Sequence, residues 1–158
     1  METTLTNIEL KKSYSQDITK NLNILLSNIE VNYMNMRSFH WNIRGKHFFL
    51  LHEKFEEFYN DMAEKADEVA ERILTLGFAP IDSFKKYLEH TEIKPVEGIS
   101  DGELAVDITI NSLSILLKKE REILEFAAEN SDEGTASLMS DFIAEQEKLL
   151  WMLNAYKN

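Results

Sequence analysis

The sequence predicts an all-α protein: a bundle of four long helices, with a short extra helix in the connection between the second and the third. Three observations lead to this prediction. Only five glycines and two prolines interrupt the 158 residues, and both prolines lie between residues 77 and 98. Apolar residues recur every three or four positions over long stretches, which is the spacing of one helix face. No segment is a strand candidate, an internal repeat or a low-complexity stretch.

The first two long helices are defined by their apolar stripes and by the glycines that follow them. We expect the first helix at about residues 7–41, before a break at Asn-Ile-Arg-Gly in which Gly45 can end a helix. Its stripe consists of Ile18, Leu22, Leu25, Ile29 and Met36. The second helix should end before Gly77 and Pro80. Its stripe consists of Phe55, Phe58, Met62, Ala66, Val69, Ile73 and Leu76.

A long connection precedes the other two long helices. Asp82 is expected to cap a short helix that ends at about Glu89. Ser100 and Glu103 match a capping box at the start of the third long helix. The apolar stripe of that helix consists of Val106, Ile110, Leu113, Leu117 and Leu124. Residues 130–134 are predicted to form a turn, and the stripe of the fourth long helix consists of Leu138, Phe142, Leu149, Met152 and Tyr156. A crossover of this length lets the second and third long helices run in the same direction, as in ferritin-like bundles.

Length and composition narrow the protein class. We expect one domain over residues 1–158, with a short N-terminal tail at about residues 1–6. The absence of cysteine excludes disulfides, thiolate zinc sites and thiol catalysis. No signal-peptide core or membrane-spanning apolar run is present, so we expect a soluble cytoplasmic protein without a membrane partner. The net charge is −11 and neither end is a basic arm, which argues against DNA as a partner.

The second long helix carries two pairs of side chains that can bind metals. His52 and Glu56 are four residues apart, as are Asp67 and Glu71, so the members of each pair share a helix face. The Glu-x-x-His motif of di-iron sites inside one bundle is absent from the sequence. About 16 Å of helix axis separates Glu56 from Asp67, so one helix cannot bring both pairs to the same ion.

Two antiparallel copies of this helix can bring the pairs together. A two-fold axis near residues 61 and 62 would place His52 opposite the second copy's residue 71, and Glu56 opposite its residue 67. Such a dimer would hold two identical sites. His40, near the end of the first helix, is expected to fold back beside His52. Carboxylates mixed with imidazoles, with open positions, suit iron better than calcium or a closed zinc site. A plain solvated helix face also fits these charges, and both interpretations stay open on spacing alone.

A longer stretch of sequence indicates a family. Residues 39–77, FHWNIRGKHFFLLHEKFEEFYNDMAEKADEVAERILTLG, resemble the central signature of the Dps family, the miniferritins. The specific order is His-Trp, a histidine twelve positions after the first, an acid four positions later, then Asp and Glu. The likeness extends along the whole chain, through DSFKKYLEHTEIK in the crossover to EKLLWMLNAY near the end.

The resemblance implies a ferroxidase site that binds iron between two-fold related subunits. The implied ligands come from both chains: His40, His52 and Glu56 from one subunit, and Asp67 and Glu71 from its partner. By the same resemblance, the tighter iron is bound by Glu71, Asp67 and His40. The weaker iron, or a water, is held by His52 and Glu56. Trp41 would lie beside the site, where it can intercept stray oxidising equivalents.

Further expectations concern the cavity and the pores of the family's shell. Glu53 and Glu57 would face a hollow interior and help to seed ferric mineral, although plain solvated glutamates fit these positions as well. Asp132 and Glu133 are candidate acids of the three-fold iron-entry pores.

The chain departs from the family pattern at two places. Position 56 is usually Asp, and the longer Glu56 is expected to retune the weaker iron position. At the pores, Gly134 and Ser137 stand where further acids are expected, and Asp141 can compensate for them.

The implied function is iron storage with peroxide consumption. Members of the family assemble as a hollow dodecamer, oxidise iron(II) preferably with hydrogen peroxide, and store the product as ferric mineral, which protects against oxidative stress. Two alternatives remain. One is a nucleoid-compacting DNA-binding protein, although the lysine-rich tails that commonly serve this role are absent. The other is a non-catalytic shell that acts through contacts with other proteins.

Overall fold

This computed structural model describes residues 5–158 of the chain. Within them the chain forms four long helices and one short helix. They are α1 (Lys12–Asn42), α2 (Phe48–Thr75), α3 (Phe84–His90), α4 (Gly102–Glu129) and α5 (Glu133–Lys157). α1 packs against α2, α3 and α4, and α4 packs against α5. The predicted four-helix bundle with a short helix in the long crossover is therefore confirmed. Among the described residues, no helix has the length and apolarity that crossing a membrane requires.

The first helix begins later than the sequence predicts. α1 starts at Lys12 instead of residue 7, because a tight turn precedes it. The Thr6 amide donates to the Leu10 carbonyl at 2.7 Å, and the Leu10 amide donates to the Thr6 hydroxyl at 3.2 Å. Glu9 adopts a φ of 62°, which a helix does not allow. Most of the tail expected at about residues 1–6 lies outside the described residues.

Two helices have caps other than the predicted ones, and a third helix begins inside a predicted turn. Ser83, not Asp82, caps α3 through its hydroxyl. Asp101, not Ser100, caps α4, and its carboxylate accepts the amides of the first turn. The Ser100 carbonyl instead accepts the amide of Arg44 at 2.9 Å, which fixes the break after α1 to the end of the crossover. α5 begins at Glu133, within the predicted turn 130–134, because the Asp132 side chain caps it.

The core confirms the stripes of the first two helices more closely than those of the last two. All five stripe residues predicted for α1 are buried, and so are the stripe residues of α2 except the half-buried Phe58. In α4 and α5, several predicted stripe residues are only half-buried, and Met152 is 45% exposed. The buried face of these helices includes the polar side chains of Thr109, Ser112, Glu120 and Gln146. A prediction from apolar spacing alone misplaces the buried face of these two helices, because it treats the polar residues of that face as exposed.

Asparagines of α1 hold the crossover against the bundle. Asn28 is fully buried, and its side-chain oxygen accepts the amides of Glu92 at 2.6 Å and Ile93 at 3.2 Å. Asn35 donates to the Lys94 carbonyl at 2.9 Å and accepts the Val96 amide at 3.1 Å. Asn23 accepts the Ile81 amide at 2.9 Å. These bonds satisfy backbone groups of an irregular segment that has no helical partners of its own.

Candidate metal centre

The end of α1 folds back onto the start of α2 and brings two histidines into contact. The rings of His40 and His52 stack, with their centroids 3.8 Å apart and an angle of 15° between the planes. Nδ1 of His40 lies 2.6 Å from the His52 carbonyl oxygen, and Nδ1 of His52 lies 2.7 Å from the His40 carbonyl oxygen. The expectation that His40 lies beside His52 agrees with this geometry.

The reciprocal hydrogen bonds determine which ring nitrogens can bind a metal. A carbonyl oxygen only accepts, so each Nδ1 must carry the proton and donate it. Nε2 of each ring is then left with a lone pair. Metal-binding histidines commonly donate their other ring N–H to a backbone carbonyl, which fixes the tautomer and the ring orientation. His40 is buried and His52 is half-buried, so the backbone holds both rings in place before any ion binds.

The carboxylates predicted as ligands are not grouped with the histidines within one chain. Glu56, Asp67 and Glu71 all lie on the exposed face of α2. Over residues 5–158, no three histidine or acidic side chains converge on a point that could hold an ion. One subunit therefore offers two oriented imidazoles and, farther along α2, two carboxylates. Their union across a two-fold axis stays a prediction.

Three alanines of α2 line one side of a groove beside Asp67. Ala63, Ala66 and Ala70 of α2 line a groove of about 210 Å³ together with Glu30 and Tyr33 of α1. Burial raises the pKa of Glu30 above its ordinary value. Leu26 and Tyr87 complete the lining, so only the α2 side of the groove consists of small side chains.

The remaining residues predicted for the site lie at the surface of the chain. Trp41 follows His40 directly and is 58% exposed. Glu53 and Glu57 are both exposed on α2. Lys54 approaches Glu57 at 3.0 Å, so an exposed ion pair offsets part of the negative charge that Glu57 contributes.

One pore prediction is wrong in this structure. Asp132 is 2% exposed, and both of its carboxylate oxygens accept hydrogen bonds. Its Oδ1 accepts Nη2 of Arg72 at 2.7 Å and the Thr135 amide at 3.0 Å, and its Oδ2 accepts the Tyr14 hydroxyl at 2.7 Å. Such a carboxylate cannot line a solvent-filled pore. Glu133 and Asp141 are exposed, and their pore role stays a prediction.

The same network sets the protonation of its members. Burial alone would raise the pKa of Asp132, but hydrogen bonds from Thr135 and Tyr14 and the Arg72 charge lower that pKa below its ordinary value. Burial and the Asp132 carboxylate raise the pKa of Tyr14. The anion of Asp132 thus ties together α1, α2 and the start of α5.

Sequence reasoning missed a polar cluster in the bundle core. The Lys65 ammonium is buried and donates to Asp61 at 2.8 Å and to Glu145 at 2.6 Å. Glu120 is fully buried, and neither of its oxygens has a hydrogen-bond partner among residues 5–158. Burial raises its pKa to about 7, against the smaller lowering effects of Gln146, Lys65 and Arg121. The signal available in the sequence was the polar residues on the inner faces of α4 and α5.

Comparisons with known proteins agree on one family. Residues 19–158 match the ferritin-like domain family. The chain is 44% identical over 147 residues to the DNA protection during starvation protein of Porphyromonas gingivalis, covering 93% of this chain and 92% of that protein.

Solved structures give the same result. The Dps protein of Vibrio cholerae O1, described as a member of a broad superfamily of ferritin-like diiron-carboxylate proteins, superimposes with a TM-score of 0.97. It is 49% identical in sequence, and the match covers 100% of this chain and 99% of that one. The Dps protein of Bacillus brevis gives a TM-score of 0.90 at 35% identity, over 94% of this chain and 100% of that one.

Proposed function

Because this chain belongs to the Dps family of ferritin-like proteins, we propose that it oxidises iron(II) at intersubunit sites and stores the ferric product inside a hollow dodecamer. Hydrogen peroxide is the preferred oxidant in this proposal. The observation that most directly supports this proposal is the stacked pair of His40 and His52. The Nδ1 atoms of both rings are hydrogen-bonded to backbone carbonyls. Two imidazoles with fixed tautomers and free Nε2 atoms form half of an iron site.

The other half of the site comes from the partner subunit. His40, His52 and Glu56 of one chain bind iron together with the second chain's Asp67 and Glu71, related by a two-fold axis. Mixed nitrogen and carboxylate ligands with open positions suit iron(II), which must also meet the oxidant. The isologous interface gives each dimer two such sites.

The reaction balances without a free radical when both iron positions are filled. Two iron(II) ions give up one electron each and become iron(III). One hydrogen peroxide takes both electrons and two protons and becomes two water molecules. The protein holds the two ions close enough to be oxidised together, while exposed acids such as Glu53 and Glu57 receive the ferric product.

This chemistry would protect DNA even though the protein does not bind it. A protein that removes iron(II) and peroxide together removes both sources of the hydroxyl radical. The net charge of −11 repels the phosphate backbone. We therefore expect no shift of duplex DNA in a gel at low salt, and a clear shift would favour the alternative of direct nucleoid binding.

Intersubunit complementation tests the proposed site. His52→Ala and Glu71→Ala variants should each lose rapid ferroxidation by peroxide. Co-expression of the two variants with different tags should restore it, because half of the sites in each mixed dimer then carry both ligands. With random pairing, recovery should reach about a quarter of the wild-type rate.

The controls separate ligand loss from misfolding. His90→Ala combined with Glu125→Ala removes an exposed histidine and an exposed glutamate away from the predicted site, and should leave ferroxidation unchanged. Recovery on co-expression also shows that both variants fold and assemble. Two inactive variants that stay inactive together would exclude a shared intersubunit site. Wild-type rates in both variants would exclude these ligands.

A further inference from the structure

The start of α4 contacts the chain on both sides of the turn between α1 and α2. The Arg44 amide donates to the Ser100 carbonyl at 2.9 Å, and Arg44 and Asp101 form an isolated parallel β-bridge. The next residue, Gly102, is the first of α4 and lies against Leu51 in the first turn of α2. The beginning of α4 therefore touches the chain just after α1 and again just after α2 has begun.

The contact between Gly102 and Leu51 leaves no room for a side chain at position 102. A Cβ atom added to Gly102 would lie 2.6 Å from Cδ1 of Leu51. Non-bonded carbon atoms rest about 3.5–4.0 Å apart, so alanine at this position requires the two atoms to separate by about 1 Å. Gly102 does not have a positive φ, so its backbone conformation does not require glycine. The close approach of Leu51 does.

Both sides of this contact are held in place by the core. Ala105 and Val106, in the first turn of α4, are fully buried, and the Asp101 carboxylate caps the helix by accepting amides of that turn. Leu51 is 5% exposed, so its side chain is enclosed by neighbouring residues. A displacement of Leu51 is therefore expected to move the α2 backbone at the next residue, His52.

The histidine pair tolerates only a small displacement of this backbone. The ring of each histidine is oriented by a hydrogen bond from its Nδ1 to the other residue's carbonyl, at 2.6 Å for His40 and 2.7 Å for His52. A relative shift of about 1 Å takes these distances beyond the range of about 2.7–3.2 Å that N–H···O bonds have in proteins. The tautomer and the direction of each Nε2 lone pair would then no longer be fixed.

Resting on the proposed function, we propose that Gly102 is a positioning residue for the iron site. It contacts neither iron nor a ligand. It lets α4 approach Leu51 closely, and this approach sets the height of His52 relative to His40. The hydrogen bond between the Arg44 amide and the crossover fixes the other side of the turn. The two imidazoles are thus oriented for metal binding by a helix that supplies no ligand itself.

Metal-free crystal structures of variants test the positioning independently of ferroxidation. In Gly102→Ala, at least one of the two Nδ1–carbonyl distances should exceed about 3.2 Å. Adding Leu51→Ala removes the Cδ1 atom that the new methyl group meets, and should restore both distances. Glu103→Ala, which changes an exposed residue of the same turn, should keep them. Unchanged distances in Gly102→Ala would mean that Leu51 yields without moving His52, and would overturn the proposal.

Cobalt(II) binding connects the contact to the metal site. The assembled protein is titrated with cobalt(II) without oxygen and followed by visible absorption, and His52→Ala identifies the part of the signal that belongs to the site. Gly102→Ala should bind about 10–100-fold more weakly, as is typical when a residue that orients a metal ligand is changed. Gly102→Ala with Leu51→Ala should recover the wild-type affinity even if its thermal midpoint is lower.

The remaining outcomes separate positioning from a merely structural role. A Gly102→Ala variant that loses stability but keeps the wild-type cobalt(II) affinity would contradict the proposal. The double variant decides the case in which Gly102→Ala does not fold, because a double variant that folds but lacks the wild-type histidine distances would also contradict it. If wild type binds no cobalt(II) at His52, the proposed function fails, and the metal-free structures still decide whether Gly102 positions the pair.

Discussion

Replacing Glu120 with Gln is expected to remove most of the pH dependence of stability near neutral pH. Glu120 lies on the inner face of α4 and is fully buried, and within the described part of the chain neither oxygen has a hydrogen-bond partner. Gln146 lies close enough to lower the pKa of Glu120, but its amide does not reach hydrogen-bonding geometry. The Lys65 ammonium also lowers that pKa, but its hydrogen bonds go to Asp61 and Glu145. An ionised Glu120 is therefore poorly compensated.

The magnitude follows from the shifted pKa. Burial raises the pKa of Glu120 from an ordinary value of 4.5 to about 7. The folded state thus holds this proton more tightly than the unfolded state, and the associated stability is complete below pH 4.5. It is lost as the pH rises through about 7, and the loss amounts to about 3 kcal/mol per chain at full ionisation. A change of this size lowers the thermal midpoint by about 6–12 °C for a chain of this length.

Thermal unfolding followed by circular dichroism at several values between about pH 5 and pH 8 measures the effect. Gln resembles the protonated glutamic acid, so Glu120→Gln should match wild type at the acid end and exceed it at the alkaline end. Glu125→Gln, which neutralises an exposed glutamate on the same helix, should keep the wild-type dependence. Parallel curves for wild type and Glu120→Gln would mean that Glu120 ionises freely, and would refute the reasoning.

Two further replacements test the packing around the site. Asp132→Asn leaves the Arg72 guanidinium without its anion and should cost about 3 kcal/mol at neutral pH, whereas the exposed Asp141→Asn should be nearly neutral. The pKa of Asp132 is lowered in the folded state, so the stability that its carboxylate contributes is present at neutral pH and is lost as the pH falls through that pKa. A stability difference between wild type and Asp132→Asn that stays constant with pH would contradict this. Phe55→Ala empties a fully buried position against Phe39 and should cost about 3–5 kcal/mol in chemical denaturation. Phe49→Ala, at an 85% exposed position, should cost little, and equal losses would contradict the burial assigned to the two rings.

Much of the site could be predicted because both helix spacing and the family signature depend on residues that are close together in the sequence. Four-residue intervals place His52 with Glu56, and Asp67 with Glu71, whatever the rest of the fold does. The contact between His40 and His52 required only that the chain reverse between α1 and α2. The error at Asp132 has a different cause, since an acid at the start of a helix can face water or cap the helix, and its choice depends on Arg72 and Tyr14 from distant helices.

The sequence by itself determined the helices, the apolar stripes of α1 and α2, and the chemistry of the candidate ligands, because these depend on local geometry and residue type. Only the tertiary structure decided which polar residues enter the core, how α1 asparagines hold the crossover, and how Asp132 joins Tyr14, Arg72 and Thr135. These features join residues that are far apart in the chain. Their side chains are polar or aromatic and suit surface and interior alike, so packing against other helices determines their environment.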